Sequence, residues 1–455
     1  MASRQPQPVE RRSFLLGNPT RSLIPMGMAT LLPDAAQRVR HLEAMIFEGF
    51  GRWGYREIIP PTFEYLDVLS TGLPAETLEK CYKFADWTTG RILVLRPDVT
   101  AQIARIVAMG MAGQGLPLRL SYRTTVFRYE PEHAGREREV FQLGVELIGV
   151  DQASMDAEIL TLLVESLKTL GVSDFKVSLG HVGFYQGLLA KSGMSPQGQK
   201  QAEIAAAHKD IPNLERILKW EKVPSTLSKA ILEAPGRYGR EEVLEWGRRV
   251  AGRDLRLVKP IERLTQVYRL LEGTGIQEHL LLDLGEFRGF DYYDGIVFDV
   301  FSGKVGCELG GGGRYNHLIG RFGRELPSTG FALDIDRVFH ALDHVSSEQI
   351  LSSSSVLLMS PHVRYGEAFK AAQYLRSKGL TVLQETLSSP ASSQNRVARK
   401  RAMEASVGWL VLLGHPRTKS QAFVAIRMGA KGNPQRTLRL EELPGLIQKE
   451  THASD

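Results

Sequence analysis

Apolar residues near the start of the chain recur at helical spacing. Val39, Leu42, Ile46 and Phe50 fall three or four positions apart between residues 34 and 53, a pattern that predicts an amphipathic helix. A short β-like run, YREIIPP, follows at residues 55–61. Its prolines confine it to a strand end or a sheet edge because proline cannot donate a hydrogen bond to a neighbouring strand.

Further along, short β-rich runs alternate with turn residues and predict a mostly antiparallel sheet. These runs occupy residues 92–95, 118–122, 141–148, 175–179, 280–284, 295–301 and 308–310. Between about residues 184 and 275 the apolar positions change to a helical period, which predicts a helical insertion within the sheet domain.

A second domain is predicted near the C-terminus. Residues 341–355 form a serine-rich linker, and residues 356–455 then alternate between strand-like and helix-like patterns, as expected for a small α/β domain. Residues 25–340 are expected to form the core domain. Residues 1–24 are basic, with Ser, Pro and Gln, and resemble a flexible N-terminal segment.

Composition narrows the class of protein without naming a function. The chain has 455 residues, of which 43% are hydrophobic and 24% charged, an ordinary balance for a soluble globular protein. The net charge of +6 permits an anionic partner but decides nothing. Cys81 and Cys307 are far apart and give neither a disulfide framework nor a zinc-ligand spacing. No apolar run has the length of a membrane span, so we expect a cytoplasmic protein without a membrane partner.

Residues 288–298, RGFDYYDGIVF, combine a guanidinium, paired phenols and an apolar run. Arg288 can grip a carboxylate or phosphate through its planar fork, while Tyr292 and Tyr293 can supply aromatic walls with hydroxyl groups. Alternatively, if the segment is a strand, the two tyrosines point to opposite faces, so that one lies in the core and one at the surface.

A charged hairpin predicts a second part of a site. If Arg128 ends one strand and Phe141 begins the next, the loop between them projects Arg136 over the end of the hairpin. Gln142 and Glu146 are four positions apart and therefore share one face of their strand. The alternative is a solvated charged loop that joins two ordinary strands.

This hairpin, with residues 54–61 before it and residues 330–337 after it, resembles the three signature motifs of class II aminoacyl-tRNA synthetases. Residues 288–293 and 311–315 resemble the two histidine-specific motifs of histidyl-tRNA synthetases. Residues 95–105, LRPDVTAQIAR, are similar instead to the regulatory subunits of ATP phosphoribosyltransferase, which share the synthetase scaffold. The resemblance implies an α+β fold, with a synthetase-like antiparallel sheet flanked by helices.

The resemblance also implies which residues bind ligand. A histidine site would be lined by Asp98, Thr100, Gln142, Glu146, Arg288, Tyr292 and Tyr293. Three arginines occupy the places where the synthetases hold ATP and define a possible nucleotide or anion site: Arg128, Arg136 and Arg337. No catalytic residue, metal or cofactor is implied for a regulatory subunit.

Three functions remain open. The favoured one is a non-catalytic regulatory subunit that joins a short-form catalytic ATP phosphoribosyltransferase in the first step of histidine biosynthesis, with histidine as effector. Family resemblance implies a dimer within a larger hetero-oligomer. The second is a histidyl-tRNA synthetase with tRNA as partner, for which the C-terminal domain resembles an anticodon-binding module. The third is a synthetase-like binding protein of another pathway.

Overall fold

The computed structural model describes residues 24–25, 27–111, 113–129, 138–285, 292–342, 355–387, 394–405, 407–414, 422–429 and 434–452. The chain divides into two compact units, of which the first ends at Asp343 and the second begins at His344. No helix in the described part of the chain is both long and apolar enough to cross a bilayer.

The described residues of the first unit contain twelve strands. In chain order they are β1 (Arg56–Glu57), β2 (Phe63–Tyr65), β3 (Lys83–Ala85), β4 (Ile92–Leu95), β5 (Leu118–Phe127), β6 (Glu139–Ile148), β7 (Lys176–His181), β8 (Tyr238–Gly239), β9 (Leu280–Asp283), β10 (Ile296–Phe301), β11 (Glu308–Arg314) and β12 (Ser328–Asp334).

Nine of these strands form one sheet in the order β1-β5-β6-β12-β11-β10-β7-β9-β8, and the other three form a small sheet, β2-β4-β3. In the large sheet β1 pairs with β5, and β7 with β9, in parallel. The remaining neighbours are antiparallel, as the turn-rich spacing predicts. The class II synthetase-like antiparallel architecture expected from the resemblance is therefore present.

Twelve α-helices accompany these strands in the described part of the unit. They are α1 (Pro33–Arg52), α2 (Leu66–Leu69), α3 (Ala75–Glu79), α4 (Thr100–Gly110), α5 (Ala153–Thr169), α6 (Val182–Lys191), α7 (Pro196–Ala207), α8 (Ile211–Trp220), α9 (Ser225–Glu233), α10 (Glu241–Ala251), α11 (Leu255–Leu270) and α12 (Ile335–Ala341). Helices α6 to α11 occupy the segment in which the helical insertion was predicted.

Alternation along the strands gives the large sheet two different faces. On one face Leu143, Val145 and Leu147 of β6 join a core that includes Phe50 of α1 and Leu160 of α5. The opposite face packs against α4 through a separate cluster that contains three buried tyrosines, Tyr122, Tyr292 and Tyr315. Glu146 of β6 points to this second face, where it contacts Thr100 in the first turn of α4.

The second unit is built around a five-stranded sheet. Its elements are β13 (Ser355–Pro361), α13 (Tyr365–Ser377), β14 (Thr381–Leu387), α14 (Gln394–Glu404), β15 (Trp409–Leu413), β16 (Phe423–Arg427), β17 (Gln435–Leu438) and α15 (Leu443–His452). The strand order is β14-β13-β15-β16-β17, with the first three strands parallel and the last two antiparallel. The alternating pattern predicted the parallel part but not β16 and β17.

Candidate functional site

Glu146 lies in the middle of the large sheet, where β6 is flanked by β5 and β12. Its register partners are Leu120 on one side and Gly330 on the other. The side chain is almost fully buried, with 1% of its surface exposed. A Cβ atom at Gly330 would overlap the Glu146 Oε2 atom. The glycine therefore leaves the space in which the carboxylate sits.

Two hydroxyl groups hold this carboxylate. Thr100 Oγ1 donates a hydrogen bond to Glu146 Oε1 at 2.8 Å, and the Tyr315 hydroxyl donates to Glu146 Oε2. Burial raises the pKa of Glu146 to about 8. The two hydrogen bonds favour the charged form and lower this pKa, but their effect is smaller than that of burial. The negative charge of Asp98 raises this pKa further. In the ligand-free protein the carboxyl group is therefore mostly protonated at neutral pH.

Asp98 lies at the start of α4, close to Thr100. Its Oδ1 atom accepts a hydrogen bond from the backbone N–H of Ala101 at 2.9 Å, which satisfies one of the donors left over in the first helical turn. Its Oδ2 atom accepts a hydrogen bond from the Tyr292 hydroxyl at 3.4 Å. Asp98 thus ties the helix to the segment before β10.

Three tyrosine rings line the site. The ring centroids of Tyr292 and Tyr293 are 4.8 Å apart, and those of Tyr292 and Tyr315 are 5.9 Å apart. Both Tyr292 and Tyr293 precede β10 rather than lie in it, so strand alternation does not separate them. The alternative with one core and one surface tyrosine is wrong: Tyr292 is buried and Tyr293 is partly buried, and both pack in the same cluster.

These phenols are kept neutral by their surroundings. Burial raises the pKa of Tyr292, Tyr315 and Tyr122 well above the usual value, and the neighbouring carboxyl groups raise it further. Tyr122 lies on β5, opposite Gly144 of β6. A Cβ atom added at Gly144 would overlap the Tyr122 hydroxyl. Neutral hydroxyls and acidic groups together suit a small ligand that carries both an ammonium group and an aromatic ring.

Gln142 shares the strand face of Glu146, as its spacing predicts, but it contacts a different carboxylate. Gln142 Nε2 donates a hydrogen bond to Asp334 Oδ1 at 2.8 Å. Asp334 Oδ2 in turn lies 3.1 Å from Arg337 Nη1, which also donates to the carbonyl oxygen of Glu308. Asp334 therefore joins a proposed histidine-site residue to a proposed anion-site residue.

Arg128 contacts the segment that leads into α4. Arg128 Nε donates a hydrogen bond to the carbonyl oxygen of Pro97 at 2.7 Å, which places Arg128 beside the Asp98 segment. Arg136 and Arg288 lie outside the described residues. Within the described ranges no cluster of three or more His, Cys, Asp or Glu side chains is arranged to hold a metal ion.

Sequence reasoning missed Tyr315, Tyr122 and Asp334 as members of the site. Tyr315 and Asp334 belong to the motif-like segments 311–315 and 330–337, so a signal for both was present in the sequence. Tyr122 has no such signal, because only the pairing of β5 with β6 brings it to the site. The glycine run 310–313 lies in β11, between β10 and β12.

Comparisons with known proteins agree with this architecture. A family model described as histidyl-tRNA synthetase matches residues 27–338. An ATP phosphoribosyltransferase regulatory subunit of Geobacter metallireducens is 37% identical over 81% of this chain and 85% of its own length. Another, from Moorella thermoacetica, is 37% identical over 85% of this chain and 97% of its own length.

The chain belongs to the ATP phosphoribosyltransferase regulatory subunit family. A solved structure from Bacillus halodurans, described as an ATP phosphoribosyltransferase regulatory subunit/histidyl-tRNA synthetase, is 30% identical and has a TM-score of 0.72 over 82% of this chain and 96% of that one. The histidyl-tRNA synthetase of Nostoc sp. PCC 7120 aligns over 94% of this chain and 99% of its own, with a TM-score of 0.77. At 18% identity, the likeness to this synthetase shows that the two proteins share a fold and nothing about a shared function.

The structure brings five of the predicted histidine-site residues together. Asp98, Thr100, Glu146 and the two tyrosines Tyr292 and Tyr293 meet at one end of α4. His181 is the N-cap of α6: its Nδ1 atom accepts a hydrogen bond from the backbone N–H of Gly183.

Proposed function

We propose that this chain is the non-catalytic regulatory subunit of an ATP phosphoribosyltransferase and that it mediates feedback control of histidine biosynthesis. A short-form catalytic subunit, its partner, would condense ATP with phosphoribosyl pyrophosphate. One observation carries the proposal: the chain is 37% identical to the ATP phosphoribosyltransferase regulatory subunit of Moorella thermoacetica, and the match covers 97% of that relative's length. The chain would act in the reducing cytoplasm.

Histidine is the proposed effector, and the site chemistry supports it. Acidic oxygens of Glu146 and Asp98 suit the α-ammonium group, while the rings of Tyr292 and Tyr293 suit an imidazole. Arg288 is proposed to bind the carboxylate of the ligand. Gln142 and Thr100 would complete the hydrogen bonds around it. Feedback then requires histidine to bind the active and inhibited assemblies with different affinities.

The arrangement of two arginines supports a regulatory rather than a catalytic role. Arg337 is paired with Asp334 and hydrogen-bonded to the carbonyl oxygen of Glu308, and Arg128 is hydrogen-bonded to the carbonyl oxygen of Pro97. Both arginines therefore have structural contacts that account for their presence without ATP. We propose that any nucleotide or anion site formed by Arg128, Arg136 and Arg337 is not used for adenylate formation.

A synthetase function remains the second candidate because the same arginines stand where the synthetases hold ATP. In that case Arg128 and Arg288 would stabilise negative charge on the α-phosphate while the histidine carboxylate attacks it. Helix α14 carries Arg399, Lys400 and Arg401, cations that suit an RNA backbone. Arg401, however, is paired with Glu385 and Glu404, so part of this charge is neutralised within the second unit.

We further propose a dimer within a larger hetero-oligomer. Apolar side chains are exposed beside the edge strand β1 and on the small sheet: Ile59, Phe63, Phe84 and Trp87 are 82%, 50%, 40% and 101% exposed. Such a set on a soluble chain suits a protein interface, and we assign it to a second copy of the chain. Light scattering on Trp87→Glu should then report a smaller particle than the unsubstituted chain, and an unchanged mass would contradict this assignment.

The experiment that tests the proposed function uses the purified chain with a short-form catalytic ATP phosphoribosyltransferase. We expect the mixture to form phosphoribosyl-ATP faster than the catalytic subunit alone and histidine to inhibit it. Tyr292→Phe should raise the histidine concentration for half-inhibition by roughly tenfold, since it removes the hydrogen bond to Asp98. Tyr238→Phe, an exposed tyrosine of β8, is the control. Histidine sensitivity equal in both variants would contradict the assigned site.

A further inference from the structure

An ion network around the buried Asp156 and Arg314 joins the helical insertion to the residue before Tyr315. We propose that Arg263, on insertion helix α11, is a positioning residue that sets the geometry of the ligand site through Arg314. The insertion would thereby regulate ligand affinity without touching the ligand. For the identity of that ligand as histidine, the inference rests on the proposed function.

Arg314 is the centre of the network and is 2% exposed. Its Nε and Nη2 atoms each lie 2.8 Å from Oδ1 of Asp156, a fully buried residue in the first turn of α5. The hydroxyl group of the next residue, Tyr315, donates a hydrogen bond to Glu146 Oε2. The position of the Arg314 guanidinium therefore constrains where the Tyr315 backbone, and hence its hydroxyl, can lie.

Arg263 holds the other side of the same carboxylate. Its Nε and Nη2 atoms lie 3.0 and 2.9 Å from Asp156 Oδ2, and Nη2 lies 2.7 Å from Oδ1 of Asp151. Asp151 also lies 3.4 Å from Arg314 Nη1. Two cations and two anions balance within this network. Removing Arg263 leaves one oxygen of a buried carboxylate without its partner, so Asp156 and Arg314 must rearrange.

Backbone contacts carry the constraint to the tyrosine segment before β10. The backbone N–H of Asp294 donates to the carbonyl oxygen of Arg314 at 3.0 Å, and the N–H of Asn316 donates to Asp294 Oδ2 at 2.9 Å. A Cβ at Gly295 would lie only 3.0 to 3.1 Å from the side-chain carbons of Arg314. Because the segment from 292 to 295 is packed against Arg314, a shift of this arginine moves Tyr292 and Tyr293 as well as Tyr315.

The network gives the insertion a defined route to the site. The insertion contributes Arg263, the core contributes Asp156 and Asp151, and the site strand contributes Arg314. Any event that displaces α11 from α5 changes the support of Arg314. By reciprocity, a ligand that fixes Tyr315 and Glu146 also favours the docked position of α11.

The first test compares histidine affinity by calorimetry in three full-length variants. Arg263→Met keeps the aliphatic stem but removes the charge, and we expect it to weaken histidine binding about tenfold. Arg263→Lys should recover part of the affinity. The matched control is Arg119→Met, which removes a β5 arginine that is paired with a different carboxylate of α5: Arg119 Nε and Nη2 lie 2.8 Å from the two oxygens of Glu158. Equal losses in Arg263→Met and Arg119→Met would overturn the inference.

A double-substitution cycle separates positioning from a general loss of stability. If Arg263 acts through Tyr315, the effect of Arg263→Met on affinity should be largely lost in the Tyr315→Phe background. Fold-losses that simply multiply would show that the two residues act independently and would contradict the proposal.

A ligand-independent readout distinguishes failure of this inference from failure of the proposed function. In hydrogen–deuterium exchange without ligand, Arg263→Met should accelerate exchange in residues 308–317 more than Arg119→Met does, at a temperature where both remain folded. If the unsubstituted chain bound no histidine but this difference appeared, the histidine assignment would fail while the coupling stood. Equal exchange in both variants would overturn the coupling itself.

Discussion

Glu146 and Gly330 are register partners on neighbouring strands, and the carboxylate of the first occupies the space that a side chain on the second would fill. This relationship explains how an acidic side chain is accommodated within the tightly packed face of a large sheet. It also places the acidic group within reach of hydroxyls from α4 and from the end of β11. The proposed ligand site thus depends on the absence of a side chain at Gly330 as much as on the side chains around Glu146.

Gly330→Ala should therefore lower the stability of the protein, although it adds only one methyl group. The added methyl group would overlap Glu146 Oε2 and the carbonyl oxygen of Val145, and we expect the free energy of unfolding to fall by about 1–3 kcal/mol. Urea denaturation measures this change. Gly51→Ala is the control, because a Cβ there meets no atom within 4 Å and the helix α1 should gain roughly 0.5–1 kcal/mol. Similar effects at both glycines would contradict the packing argument.

Glu146 should make the stability of the ligand-free protein depend on pH. Its pKa is about 8 in the folded state and near 4.5 in the unfolded chain. Between these values the folded state retains a proton that the unfolded state has lost, so this group's contribution to the free energy of unfolding falls as pH rises from about 4.5 to 8. The slope can reach about 1.4 kcal/mol per pH unit, and the contribution is constant above pH 8.

Glu146→Gln isolates this contribution because glutamine keeps the shape but does not titrate. Denaturant unfolding at pH 5.5, 6.5 and 7.5 should show the unsubstituted protein losing stability relative to the variant as the pH rises. A difference between the two proteins that stays constant over this range would show that Glu146 titrates normally.

Histidine binding at pH 7 should release a proton from Glu146. An ammonium group near the carboxyl group lowers its pKa, so a group that is mostly protonated before binding becomes ionised. Calorimetry in buffers of different ionisation enthalpy should report release of about one proton per histidine, and affinity should increase as pH approaches 8. In Glu146→Gln this release should disappear. Equal release in both proteins would assign the proton to another group.

Asp334→Asn should weaken the connection between Gln142 and Arg337. An amide can still accept from Gln142, but it removes the charge that pairs with Arg337 at 3.1 Å in a buried setting. We expect a loss of about 1–3 kcal/mol in the free energy of unfolding. The control is Asp67→Asn, whose pair with Arg91 is solvent-exposed and should therefore contribute less to the free energy of unfolding. Losses of equal size would contradict the structural role assigned to Asp334.

Local patterns predict much of this fold because they report burial directly. The apolar spacing in α1, the change of period at the insertion and the alternation in the second unit each follow from which side chains face a core. The even spacing of Gln142 and Glu146 likewise places both on one strand face. Strands β16 and β17 were missed because neither alternates: β16 is buried along most of its length, and β17 is mostly exposed.

The candidate site depends on contacts between residues that are distant in sequence, and local sequence patterns do not predict such contacts. Tyr315 meets Glu146, and Asp334 meets Gln142, only because β12 lies between β6 and β11 in the sheet. Tyr292 and Tyr293 share a cluster because both precede β10 and therefore do not alternate between the two faces of a strand. Strand alternation alone could not predict this. The Arg263–Asp156–Arg314 network joins three elements far apart in sequence and has no local signature.

The most direct test of the central claim is a paired assay on the purified full-length chain. Its activation of a short-form catalytic ATP phosphoribosyltransferase, with and without histidine, is measured alongside histidine-dependent charging of tRNA. The account predicts activation that histidine suppresses and no tRNA charging above background. Robust tRNA charging, or no effect on the catalytic subunit, would contradict it.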